Sequence, residues 1–120
     1  MAGYVSEMGC PFCDIIAGYA FATDFRKHRR VASFVPLNPV TVGHRLFVPV
    51  EHSTGLRKDP VLTAHAMFVA ADWASKQGHP CNLIISDGRE ATQTVMHQHV
   101  HYVPRYTDDG LHLPWTGQVK

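Results

Sequence analysis

Apolar and polar positions alternate along this chain with periods that change from segment to segment, and the changes predict its elements. Pro11 to Ala17 reads as a short helix closed by Gly18, a residue suited to the left-handed position past a helix end. Val31 to Pro36 and His44 to Val50 read as strands, separated by a turn around Asn38-Pro39 and Gly43. Asp59-Pro60 opens one long helix, because Asp caps free backbone N–H groups and Pro sits where its missing N–H costs nothing. Leu62, Ala66, Val69 and Trp73 give that helix an apolar stripe at helical spacing, and it runs to Lys76-Gln77 before Gly78. His65 on this helix reads as a surface or boundary residue. Asn82 to Ser86 is a further strand, Asp87-Gly88 a turn, and Val95 to Val103 a strand rich in histidine. Strands in adjacent pairs beside one main helix predict an α+β fold with an antiparallel sheet, and residues 1–120 read as one domain with a flexible segment at 1–9.

Composition narrows the class of protein. Hydrophobic residues make up 45% and charged residues 18% of the chain, as in soluble globular proteins. Eleven basic and ten acidic side chains leave a formal charge of +1, so no stable nucleic-acid partner is expected. The one basic cluster, Arg26-Lys27-His28-Arg29-Arg30, reads as a solvated turn or, more sharply, as an electrostatic aid to anionic ligands. No run approaches the roughly 18 apolar residues of a membrane span, and the N-terminal residues lack a secretory or myristoylation pattern. Three cysteines, an odd number, do not form a secreted disulfide framework. A cytoplasmic location is the expectation.

What stands out is the histidine content, nine residues, and the placing of three of them. His97, His99 and His101 fall at every second position of an apolar run, so on a strand they share one face about 6.6 Å apart. Gln98, Val100 and Tyr102 take the other face. A row of imidazoles is costly to bury without a ligand, a metal or mutual hydrogen bonds, which marks this segment as a site. Cys10-Pro11-Phe12-Cys13 is a second signal: this spacing serves either a redox pair or half of a zinc site. Zinc would need two further ligands, and composition alone does not choose among the histidines.

The alternating histidines, together with other blocks, resemble the histidine triad (HIT) superfamily of nucleotide hydrolases and transferases. Cys10-Pro11-Phe12-Cys13-Asp14-Ile15-Ile16-Ala17-Gly18 is similar to the opening of bacterial members, and Asn38 to His52 resembles the family's second block. Gln93-Thr94-Val95-Met96 leads into the triad as in the family, and Pro104-Arg105-Tyr106 and Leu113-Pro114-Trp115 also match. The resemblance implies an antiparallel sheet of about five strands with one long and one short helix, joined in a homodimer. It implies attack on the α-phosphate of a nucleotide derivative by His99, with His101 and His44 holding the nucleophile's tautomer and the phosphate. A structural zinc ion is implied on Cys10, Cys13, His52 and His97, and substrate contacts from Gln93, Thr94, Ser86 and Trp115. Asn82 is expected to bond within the sheet, and Cys81 to be a small buried hydrophobe.

Three residues depart from the family pattern. Pro36 stands where the family has an Asp or Asn that holds the ribose hydroxyls. Thr92 replaces a Gly before Gln93, and Gln98 is more polar than usual within the triad. Two other classes therefore stay open: a nucleotide-binding or interaction module with little turnover, and a cupin-like metalloenzyme in which His97, His99 and His101 bind a catalytic metal.

Overall fold

A computed structural model describes residues 9–115. Helix α1 (Pro11–Ala17) is followed by strands β1 (Thr23–Lys27), β2 (Val31–Val35) and β3 (Arg45–Pro49), helix α2 (Pro60–Gln77), strand β4 (Cys81–Ile85), a 3-10 turn (Arg89–Ala91) and strand β5 (Val100–Pro104). The five strands form one antiparallel sheet in the order β1-β2-β3-β5-β4.

Both helices start and stop where their capping residues lie. The Asp59 carboxylate accepts from the Leu62 N–H at 3.2 Å, and Gly78 closes α2 at φ 62°; such a cap contributes about 1 kcal/mol. Cys10 caps α1 with its sulfur, and Gly18 ends it at φ 86°. The helices cover opposite faces of the sheet. Phe12, Cys13 and Ile16 of α1 pack on Ala32, Phe34, Leu46 and Val48. Ala66 and Ala70 of α2 pack on Val31, Phe47, Val100 and Tyr102, with Val69 and Trp73 partly buried beside them. Because both faces are covered, the central strands are buried at consecutive positions and carry no polar alternation.

Several sequence expectations change. The histidine strand is shorter than Val95 to Val103: the ladder begins at Val100, and residues 95–99 are irregular. Their hydrogen bonds go elsewhere, since the Gln98 N–H donates to Ser53 O at 2.7 Å and the Gln93 amide donates to Val95 O. The basic cluster is only partly a turn, because Arg26 and Lys27 belong to β1. This edge strand is exposed at every position and carries a bulge between Thr23 and Arg26. It is held by Arg45, a buried side chain that donates to Asp24 Oδ2 at 2.9 Å, Asp24 O at 2.7 Å and Ser33 Oγ at 2.8 Å. The Arg45 guanidinium also lies 4.6 Å from the centre of the Trp73 ring.

Cys81 is half-buried rather than buried, and the Asn82 side chain accepts from Arg105 at 2.7 Å instead of bonding along the sheet. Residues 1–8 of the segment expected to be flexible lie outside the described residues. No described helix is long and apolar enough to cross a membrane.

Candidate functional site

The first turn of α1 aims two sulfurs at one point. Cys10 precedes the helix and Cys13 is its third residue, with the Cys13 N–H donating to Cys10 Sγ at 3.3 Å. His52, just past β3, and His97, ahead of β5, close on the same point from the sheet side. His97 Nδ1 lies 3.4 Å from Cys10 Sγ and 3.6 Å from Cys13 Sγ, and His52 Nδ1 lies 3.4 Å from Cys13 Sγ. All four ligand atoms fall within 4.8 Å of one another.

These separations suit a tetrahedral ion. With bonds of about 2.3 Å to sulfur and about 2.0 Å to nitrogen, the S···N edge of the tetrahedron is about 3.5 Å. The tautomer of His97 agrees, because its Nε2–H donates to Pro49 O at 2.8 Å and leaves the Nδ1 lone pair facing the sulfurs. Burial pushes the Cys10 thiol up and holds His97 down at about 4, so these two ligands by themselves resist charge. A cation at their centre would reverse the preference of the thiol.

A second histidine group lies on the same face of the sheet. His97 and His99 both stand edge-on to Phe12, with ring centres 6.0 and 5.0 Å away. His99 and His101 rings are 5.0 Å apart, and His101 and His44 rings 5.3 Å apart. Gln98 points the other way: its amide donates to Ser53 Oγ and Asp59 O, and its oxygen accepts from Thr63 on α2. The alternation read from the sequence thus survives although the ladder starts late.

Backbone partners set the protons in this group. His99 Nδ1 faces the His97 carbonyl at 2.8 Å, so Nδ1–H donates and Nε2 keeps its lone pair. The Val40 N–H donates to His44 Nδ1 at 3.0 Å, so the proton of His44 is on Nε2. Nε2–H then donates to His101 Nδ1 at 3.0 Å, which places the His101 proton on its own Nε2. Burial lowers His44 and His99, and burial with the neighbouring His99 and His44 brings His101 down to about 4. All three rings are neutral near pH 7. A bare Nε2 on His99 beside a protonated Nε2 on His101 can present a nucleophile and a hydrogen-bond donor to one electrophile.

The three triad imidazoles do not share a ligand point, because both nitrogens of His97 are turned away from the other two: Nδ1 faces the cysteines and Nε2–H donates to Pro49 O. A catalytic metal shared by His97, His99 and His101 is therefore not what this geometry offers.

The remaining sequence candidates are more scattered. Gln93 is buried, and its side chain is committed within the chain: it donates to Thr54 O and Val95 O and accepts from the Gly88 N–H. It knots the loop before the triad to the loop after β3. Thr94 is exposed and lines a cavity of about 430 Å³ with Cys10, Pro11, His52 and Met96, on the open side of the metal-ligand cluster. Ser86 lies one residue past β4, and Trp115 is two-thirds exposed at the end of the described chain. No side-chain hydrogen bond joins either to the histidines among the described residues. Pro36 follows β2 directly. Thr92 has φ 73° and ψ 21°, the left-handed region that a β-branched residue rarely enters.

Sequence reasoning missed Phe12 as the wall of the histidine row and Val40 as the donor to His44. Phe12 reads as ordinary core, and a backbone N–H leaves no mark in a sequence. Gln98 did leave a signal, a polar residue facing the long helix.

A family model described as the HIT domain matches residues 22–108. An uncharacterized HIT-like protein of Mycobacterium tuberculosis is 33% identical over 110 residues, covering 87% of this chain and 76% of its own length. The adenylylsulfatase HINT3 of Arabidopsis thaliana is 28% identical over 108 residues, 85% of this chain and 55% of its own. Among solved structures, a zinc-bound histidine triad family protein from Mycobacterium smegmatis superposes with a TM-score of 0.73 at 30% identity, over 88% of this chain and 81% of its own. A HIT family hydrolase from Clostridium thermocellum gives 0.75 at 26% identity, over 85% and 95%. With its five-stranded sheet, its two helices and its cysteine–histidine cluster, the chain belongs to the histidine triad (HIT) family.

Proposed function

We propose that this chain, as a single domain over residues 1–120, is a nucleotide hydrolase or transferase that works through a covalent nucleotidyl-histidine. The observation that carries the reading is the bare Nε2 of His99, fixed by the His97 carbonyl, with the His101 ring, protonated on Nε2, 5.0 Å away between ring centres. His99 Nε2 attacks the α-phosphorus, a P–N bond forms, and the bond to the leaving group breaks. The leaving group departs with its electron pair and, where it is an amine or another basic group, takes a proton from water. His101 donates its Nε2–H to a phosphate oxygen, held in that role by His44. Water then cleaves the P–N bond, releasing the nucleoside monophosphate and free His99. In a transferase another acceptor replaces the water. Nucleoside phosphoramidates, acyl-nucleotides and dinucleoside polyphosphates share the α-phosphate this chemistry needs. The adenylylsulfatase activity named for the Arabidopsis relative is of the same type. Thr94, Ser86 and Trp115 are the proposed side-chain contacts to substrate, and Gln93 acts by shaping the loop they flank.

Cys10, Cys13, His52 and His97 would hold a structural zinc ion. It would supply a cross-link between α1, the loop after β3 and the segment before β5, with four protein ligands leaving no open position for catalysis. A homodimer is supported by two features left open among the described residues: the outer edge of β4, and Val61 and Phe68 exposed on α2, Phe68 by 73%. A cytoplasmic location accords with reduced thiols at Cys10, Cys13 and Cys81.

The test is intact-protein mass spectrometry after brief mixing with an adenosine phosphoramidate or a diadenosine polyphosphate, with His99→Ala beside wild type. A transient gain of one nucleoside monophosphate, absent from the variant and followed by product, is expected. Product formation by His99→Ala would overturn the mechanism. A second reading, a nucleotide-binding module, is favoured by Pro36 and by the strained Thr92; nucleotide binding with neither adduct nor product in wild type would establish it.

A further inference from the structure

The segment between β2 and β3 bonds to the chain leaving β5 through side chains that have no place in the chemistry above. Residues Thr41 to His44 form a turn in which the His44 N–H donates to Thr41 O at 3.1 Å and Gly43 has φ 94°. The Thr41 hydroxyl donates to Pro104 O, at the last residue of β5, at 2.8 Å. The Tyr106 hydroxyl donates to Val42 O at 2.7 Å. Between these two bonds Gly43 sits so close to Pro104 that an added Cβ would come within 3.0 Å of its ring. Tyr106 is itself fixed, its ring 4.7 Å from that of His79 and its N–H donating to Asp109, which is clamped by Arg105.

The turn matters because of what it presents. Val40, next to Thr41, gives its N–H to His44 Nδ1, and that bond keeps the His44 proton on Nε2, the nitrogen that faces His101. If the turn drifted, His44 could place its proton on Nδ1 and turn a lone pair toward His101. The His101 proton would then move to Nδ1, away from the substrate side. We infer that Thr41 and Tyr106 are positioning residues: by mooring the Val40–His44 turn to the end of β5 they fix the His44 tautomer and through it the proton on His101 Nε2. The inference deepens the proposed hydrolase or transferase reading, but its structural half does not depend on turnover.

The experiment uses ¹⁵N-labelled full chain at neutral pH, as wild type, Thr41→Val, Tyr106→Phe and the double variant, with Thr41→Ser as rescue. Both main substitutions remove a hydroxyl while keeping shape. Long-range ¹H–¹⁵N spectra report the tautomers of His44 and His101, and hydrogen exchange reports the Val40 amide. Wild type is expected to show His44 protonated on Nε2 alone. The double variant is expected to show a mixture of tautomers and Val40 exchange on the order of tenfold faster or more, as the loss of two neutral hydrogen bonds implies. Thr41→Ser restores the wild-type pattern relative to Thr41→Val. Turnover of an adenosine phosphoramidate by the double variant should show kcat falling about tenfold with KM changed less than about twofold, because the lost interaction belongs to the reacting state. A folded double variant that keeps one His44 tautomer and full Val40 protection overturns the inference. Should the double variant not fold, the single variants carry the same readouts. Should wild type load no nucleotide, the proposed function falls while the nitrogen shifts still decide the mooring.

Discussion

Protonating His101 should destabilise the fold over a definite pH window. The ring is held at about 4 when folded against an ordinary value of 6.5, because burial and the facing His99 and His44 disfavour its charge. The unfolded chain therefore binds the extra proton first, and stability must fall as pH drops from 6.5 toward 4 and level off below. The full gap corresponds to about 3 kcal/mol at about 1.4 kcal/mol for each pH unit between the two values. Water reaches part of the ring, so about 2 kcal/mol is the realistic figure. Urea unfolding followed by circular dichroism between about pH 7.5 and pH 4.5 measures it, with His101→Gln as reference. His97, also held down at about 4, takes up its proton alike in both proteins and cancels in the comparison. Wild type should lose about 2 kcal/mol more than the variant across the window. Equal losses in the two proteins, or a wild type that gains stability toward acid, would refute the reasoning.

Two further outcomes follow from the cluster and the loop. Purified wild type should carry about one zinc per chain. Cys10→Ala should lose that zinc, whereas His99→Ala keeps it, as read by atomic emission; an ion retained in Cys10→Ala would disprove the four-ligand site. Thr92→Gly should be neutral to stabilising by up to about 1 kcal/mol in thermal unfolding, because removing left-handed strain outweighs glycine's entropic cost. A clear fall in Tm would show that the Thr92 hydroxyl bond to Ala91 O matters more than the strain.

Helix α2 was legible because local chemistry fixes both its ends, Asp59-Pro60 at the start and Gly78 at the stop, and the same holds for α1 and Gly18. Strand β1 was not, since its five residues are exposed and present no apolar face to recognise. It is held by its ladder with β2 and by Arg45, which reaches across from β3 to Asp24. The histidine row was legible as an alternation, yet the strand beneath it was overdrawn: residues 95–99 give their hydrogen bonds to the loop at 53–55 and to side chains, a choice made only once those segments meet.

Within the site, residue types and their spacing determined that imidazoles line one face and that two thiols sit one helical turn apart, because strand and helix periods are local properties of the backbone. The ligand set of Cys10, Cys13, His52 and His97 followed from family resemblance, and only the fold could bring together residues 39 to 87 positions apart at distances suited to one ion. The same is true of the protons. Which nitrogen of His99, His44 and His101 carries hydrogen is set by the His97 carbonyl and the Val40 N–H, and backbone groups are identical in every residue until tertiary structure decides where they point.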